Sequence, residues 1–358
     1  MSNSFNRRNF LNAVLASTTI PILSNVSKSY ASPTNIVATA FAGNWEKGLM
    51  DGVISCYQSK NGGKVSIISG SPSDFTQKIM ATRGQPVIDV AIGTDIDVFL
   101  NAKLGIIEKL IPSKIPNLSK LLPIFTKPFE ELAFGFDGGR DGIAVNTNKI
   151  KNPPKGWLEF TEQVAKGKFG RAVMFPHPTN TDGLAVLWLL NRELGGSMSN
   201  PDPAMKRIRE MKPYITKFFT SNAEPGTALI SGEIDIAQWT DGRTNAVQAS
   251  GHEEIKFFSL LPGSPMVNIC MMKVKNSSES AWDYLNCAAD AKNQAAWNKY
   301  FPGYYVTSKD IIYPPESKKL QDPSSLDQSF KNWIQVPWKE MADVRANWLE
   351  IWNKEIGA

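Results

Sequence analysis

At 358 residues with 42 % apolar side chains, the chain exceeds the ~250 to 300 residues at which one hydrophobic core stops growing, and it is apolar enough to fill two. Its formal net charge of +5 is concentrated at the start, because Arg7, Arg8 and Lys28 precede residue 32 with no acid among them; subtracting those three leaves +2. A weakly positive chain without Lys/Arg runs lacks the footprint of phosphate-backbone binding, so nucleic acid is excluded as a partner.

In chain order, Arg7-Arg8-Asn9-Phe10-Leu11, a mildly apolar stretch to Leu23 and Ser29-Tyr30-Ala31 read as a twin-arginine export signal over residues 1–31, with the mature chain starting at Ser32 in the periplasm. The apolar run is shorter than the ~18 residues a membrane span needs. From Asn35 the pattern is β-α-β-α-β: Ile36 to Ala40, a helix over Trp45 to Gln58, Val65 to Ile68, a helix over Phe75 to Thr82, and Val87 to Ile92. Such alternation predicts a parallel sheet whose strand-end loops gather into a crevice.

Pro112, Pro116, Pro123 and Pro128 mark a surface connection. Leu132 to Phe136 and Gly142 to Asn146 flank Asp137-Gly138-Gly139-Arg140-Asp141, either as a hairpin or as a paired crossing strand. A second α/β unit follows, with strands at Ala172 to Phe175, Asp235 to Trp239, Lys256 to Leu260 and Val267 to Val274. Its helices are Asp182 to Leu194, Pro203 to Lys212, Glu224 to Ser231 and Asp241 to Ala249. Helices then dominate: Ala281 to Ala289, Gln294 to Lys299 and Trp338 to Glu355.

Cys56, Cys270 and Cys287 allow at most one disulfide, and their surroundings suit small buried thiols. His177 and His252 are the only histidines and have no partner at metal-ligand spacing. With no phosphate loop, dinucleotide fingerprint or nucleophile elbow, neither metal nor cofactor is expected, and catalysis is the weaker reading.

Gly43-Asn44-Trp45 after the first strand, the strand entry Pro86-Val87-Ile88-Asp89-Val90, the segment Gly142-Ile143-Ala144-Val145-Asn146-Thr147-Asn148, Trp157 and the run Ser231-Gly232-Glu233-Ile234-Asp235-Ile236-Ala237 share an order. In that order, behind an export signal, the chain resembles the extracellular solute-binding proteins of ABC importers, in the spermidine/putrescine-binding branch. The resemblance covers essentially the whole chain. It implies a two-lobe periplasmic-binding-protein-like α/β fold of type II, with a ligand cleft between lobes joined by crossover strands. Residues 32–143 and 266–305 form the first lobe, and 144–265 with 306–358 the second. It also implies a monomer that captures a small polar solute and delivers it to an inner-membrane permease. A sensor presenting the same closed form to a receptor, and a cleft-site hydrolase or lyase, are the competing readings.

The candidate contacts sit at strand ends: Asn44 and Trp45, Ser71, Asp95, Asp182, Trp239 with Asp241 and Arg243, and Asn268. Asp182 and Asp241 would hold a positive group, Trp45 and Trp239 would enclose a carbon skeleton, and Ser71, Asn268 and Arg243 would fix polar ends. Each has a structural reading too: helix capping for Asp182, packing for the tryptophans, and a surface pair with Asp241 for Arg243. Ser73 is the expected cap of its helix, which leaves Ser71 for the ligand. One departure bears on substrate. Where polyamine-binding relatives carry Trp-x-Asp, this chain reads Met266-Val267-Asn268, so an acid that would pair an amine is replaced by an uncharged amide.

Overall fold

The computed structural model describes residues 34–320 and 330–357. The expected export signal lies outside them. Among the described residues no helix is long and apolar enough to cross a membrane.

The first unit contains β1 (Ile36–Ala40), α1 (Asn44–Leu49), α2 (Ser55–Asn61), β2 (Val65–Ser69), α3 (Pro72–Ala81), β3 (Val90–Thr94) and α4 (Asp95–Lys103). Strands β1, β2 and β3 pair in parallel, as the alternation predicts. The expected single helix over Trp45 to Gln58 is instead two helices joined by a π-helical segment, Met50–Ile54. It packs where Gly48 and Gly52 face Trp297 and the backbone of Asn293, so close that a Cβ on either glycine would collide. Helix α3 begins earlier than expected, and its cap is Ser71, not Ser73. The Ser71 side chain accepts the Asp74 amide while Asp74 Oδ2 accepts the Ser71 amide at 3.0 Å, with Pro72 pre-set for the first turn.

Two long strands organise the rest. β5 (Phe134–Asn146) and β10 (Ser264–Val274) run antiparallel through the sheet, whose order with β8 (Ile236–Thr240), β6 (Val173–Pro176) and β7 (Ile215–Phe219) is β2-β1-β3-β10-β5-β8-β6-β7. β5 pairs with β10 as far as Arg140 and with β8 from Asp141 onward, so it passes from one α/β layer into the other. The Asp137 to Asp141 stretch is therefore the crossing strand and not a hairpin turn. Its glycines serve close packing: a Cβ at Gly138 would lie 2.6 Å from both Asn268 Oδ1 and Phe125 Cε1.

The second layer adds α5 (Trp157–Ala165), α6 (Thr181–Glu193), α7 (Asp202–Met211), α8 (Glu224–Ser231), α9 (Asp241–Ala249) and β9 (Ile255–Phe258). β7 had no counterpart in the sequence reading. The helix Trp338–Glu355 closes the chain, packing on both α4 and α7. Lys103 pairs with Asp343 at one end of it and Arg209 with Glu355 at the other. The result is the two-lobe α/β architecture that the sequence predicts.

Two expectations need correction. The proline-rich connection is not a mere surface link, since Ile115, Leu121, Phe125 and Phe129 are buried. Pro112, Pro116 and Pro123 each open a short 3-10 turn and Pro128 is second in another, and burying each phenylalanine contributes about 1.5–3 kcal/mol. The cysteines are not three buried thiols: Cys56 on α2 and Cys287 on α10 (Ala281–Ala288) form a disulfide, and Cys270 is free and buried.

Candidate ligand-binding cleft

A cavity of about 900 Å³ opens between the two layers, within the size range of small-molecule sites. Strand-end loops build it from both sides. Phe41, Ala42, Asn44 and Trp45, Ser71 to Ser73, and Thr94, Ile96 and Asp97 contribute from the first layer, and Thr179 to Asp182, Thr240 and Arg243 from the second. The crossing strands form its floor with Asp137, Gly139, Val267 and Ile269, while Phe301, Tyr304 and Arg345 close its rim.

Of the predicted contacts, Asn44, Trp45, Ser71, Asp182 and Arg243 line this cavity. Asn44 is exposed there. Trp45 reaches it with one edge only, being 6 % exposed and packed against Phe41, Phe136 and Trp297 at centroid distances of 5.4 to 5.5 Å. The Ser71 hydroxyl already bonds Asp74 at 2.6 Å and Ser73 at 2.8 Å. Asp182 follows the Asn180 cap of α6 and accepts the Asn222 amide at 2.5 Å.

The other four lie behind the wall. Trp239 is in the core of the second layer, where its indole N–H donates to the Asn222 carbonyl at 3.1 Å; every residue of β8 is buried, so both of its faces are covered. Asp241 is taken by Arg140, whose Nε lies 3.0 Å from Oδ2 and whose amide donates to Oδ1. It does not pair with Arg243. Asn268 and Asp95 are joined beneath the floor: the Asn268 backbone N–H and Nδ2 donate to the two Asp95 oxygens at 2.5 and 2.6 Å, while Asn268 Oδ1 is buried without a partner among the described residues.

That arrangement leaves Arg243 facing the cavity, where it makes no hydrogen bond or ion pair among the described residues. Asp137, which sequence reasoning assigned to a turn or strand without a role, lines the same cavity, and an acid inside an apolar strand was the signal that could have found it. Asp97, also on the wall, uses Oδ2 to cap α4 through the Thr94 amide and hydroxyl.

Burial sets the electrostatics. It pushes Asp95 up to about 7 against the hydrogen bonds of Asn268, and raises Asp141, to which the nearby Asp182 adds. Burial likewise raises Asp182 and Asp241, opposed by the Asn222 bond in the first case and by Arg140 in the second. Tyr304, on the rim, is lifted to about 12 by burial. His177 stands behind the wall, its ring edge-on to Trp352 at 5.3 Å and its proton affinity lowered by burial. Among the described residues no set of three His, Cys, Asp or Glu is placed to hold a metal ion.

Comparisons with known proteins agree with the fold. The family model for the bacterial extracellular solute-binding protein matches residues 53–323. An extracellular solute-binding protein from Bordetella parapertussis is 25 % identical, with a TM-score of 0.76 over 90 % of this chain and 99 % of that one. An ABC transporter structure from Clostridium perfringens is 19 % identical, with a TM-score of 0.76 over 89 % and 99 % of the two chains. An ABC transporter substrate-binding protein from Bradyrhizobium japonicum is 19 % identical, with a TM-score of 0.71 over 88 % and 97 %. No curated protein matches the sequence. With three quarters of its length matched by that family model, the chain belongs to the bacterial extracellular solute-binding proteins.

Proposed function

We propose that the protein is the capture component of an ABC importer, exported to the periplasm by the twin-arginine route, where as a monomer it binds a small polar solute and delivers it to an inner-membrane permease. The observation that carries this reading is a cavity walled by strand-end loops of both layers, with a guanidinium, Arg243, that makes no hydrogen bond or ion pair among the described residues. A solute touching both walls ties them together, so its affinity for the closed form drives closure. A division of the chain into lobes near residues 143 and 266 is supported by the change of partner along β5, from β10 up to Arg140 to β8 from Asp141.

Within this reading a polyamine has less support than a solute carrying an acid. Asn268, at the position of the expected acid, is buried and spends its amide on Asp95, while Arg243 and Arg345 both line the cavity. Structurally similar proteins include a GABA receptor and a protein in complex with agropinic acid, at 20 % and 17 % identity. Native mass spectrometry of the purified protein tests the proposal. The expected result is one small molecule per chain, lost on denaturation. No retained solute, and no rise in melting temperature across amines, amino acids, organic acids and sugars, would overturn it.

A further inference from the structure

Asp137 is 2 % exposed, its Oδ2 is buried without a hydrogen-bond partner, and no hydrogen bond reaches its carboxyl group among the described residues. A buried carboxyl in that condition is costly, and native structures rarely tolerate one unless something else completes it. Its place in the fold says what that is. Asp137 sits in register with Ile269 on β10 and with Val306 on β11 (Tyr305–Val306), so its backbone is locked on both sides while it lines the cavity. Asp141, the other acid of this strand with an unpartnered oxygen, is fully buried, held by Gln238 and absent from the cavity wall.

Arg243 is the complementary case. Asp137 and Asp182 both feel its charge, yet no ion pair joins it to either. One acid and one guanidinium thus face the same enclosed space without completing each other. Their surroundings are aromatic: Phe41, Trp45, Phe301 and Tyr304 line the same cavity, an environment that covers methylene groups and accepts an ammonium over ring faces.

We propose that the solute is a small zwitterion, whose ammonium group is bound by Asp137 and whose carboxylate is bound by the Arg243 guanidinium, with the aromatic wall covering the carbon chain between them. This rests on the solute-capture reading above and names its substrate class. Burial raises the Asp137 carboxyl above its ordinary range, Arg243 opposes that and Asp95 adds to it, so an arriving ammonium supplies the counter-charge that favours its ionised form. A dication would leave Arg243 facing a like charge, and a dianion would leave Asp137 facing one.

Isothermal titration of the purified protein, stripped of bound solute, tests this with a ladder of probes. Glycine, β-alanine, γ-aminobutyrate and δ-aminovalerate are compared with the diamines and dicarboxylates of matching length. The expected result is binding of at least one amino acid of the ladder, about tenfold or more tighter than either matched partner. Asp137→Asn and Arg243→Gln should each weaken that binding by about tenfold or more, the loss of one charge-assisted hydrogen bond. Unchanged far-ultraviolet circular dichroism and melting temperature show that the variants remain folded, and Asp137→Glu serves as the charge-retaining variant if the amide does not. Tighter binding of a diamine or a dicarboxylate, unchanged affinity in both variants, or no binding of any ladder member overturns the zwitterion. Solute retained in native mass spectrometry in those cases leaves capture itself standing, and its absence there removes both.

Discussion

Arg140 and Asp241 hold each other, with Arg140 Nε 3.0 Å from Asp241 Oδ2 and the Arg140 amide 3.2 Å from Oδ1. The pair ties the middle of the crossing strand to the first turn of α9, and the Arg140 side chain also lies over the rings of Phe257 and Trp333. Because Asp241 is buried, removing its partner strands a charge. Arg140→Met is expected to lower stability by about 3 kcal/mol in urea unfolding followed by fluorescence.

Stability should fall as pH rises from mildly acidic to mildly basic. Asp95 titrates near 4 when unfolded and at about 7 when folded, so the folded chain binds more protons between those values. Its contribution is fully present below the unfolded pKa and is lost as pH rises through the folded one. Asp137, Asp141, Asp182 and Asp241 are all raised by burial and act in the same direction. The melting temperature is expected to be higher at pH 5 than at pH 8, and Asp95→Asn should flatten that slope by mimicking the protonated form. An equal slope in the variant would assign the effect to the other four.

The Cys56–Cys287 disulfide closes a loop over a sequence separation of 231 residues within the first layer. Replacing both cysteines by serine should cost about 2–5 kcal/mol, read from denaturation with and without reductant. Cys270, buried and with its thiol pushed up by burial, should resist alkylation until the protein unfolds.

Across the cavity the Thr94 and Thr181 hydroxyls meet at 2.8 Å, joining the cap of α4 to the first residue of α6. In the proposed closure this bond forms only when the two walls come together. Thr181→Val should remove about 1 kcal/mol from the closed form and weaken solute affinity about fivefold, measured by titration, with a larger radius of gyration in solution scattering.

The layered fold was legible because period-two and helical patterns alternate so regularly; α8, α9 and the helix Trp338–Glu355 fall where the pattern places them. Residue roles were less legible, for physical reasons. Trp239 stands at a strand end, but β8 is covered on both faces, so alternation carries no information about which side chain meets solvent. Asp241 precedes Arg243 by two residues, yet its partner is Arg140, brought near only by the antiparallel register of β5 and β8. Gly138 and Gly139 suggest a turn to anyone reading locally, and only the approach of Asn268 and Phe125 shows why Gly138 lacks a side chain. The disulfide joins helices far apart in sequence, which no local context announces.

The crossing strand gives Asp137 and Arg243, two of the charged groups on the cavity wall, unequal leverage over the proposed closure. Asp137 sits a few residues from the point where β5 leaves one layer for the other, whereas Arg243 is on α9 of the second layer, so in the proposed closure Asp137 lies near the pivot and Arg243 moves with its bank. A bond made at the pivot forms whether the banks are apart or together, so it strengthens the grip without pulling. A bond made by the travelling bank forms only on arrival, and its energy pulls the gate shut. Changes at Asp137 should therefore alter how firmly the open protein holds its cargo, and changes at Arg243 how much of the time it stays shut.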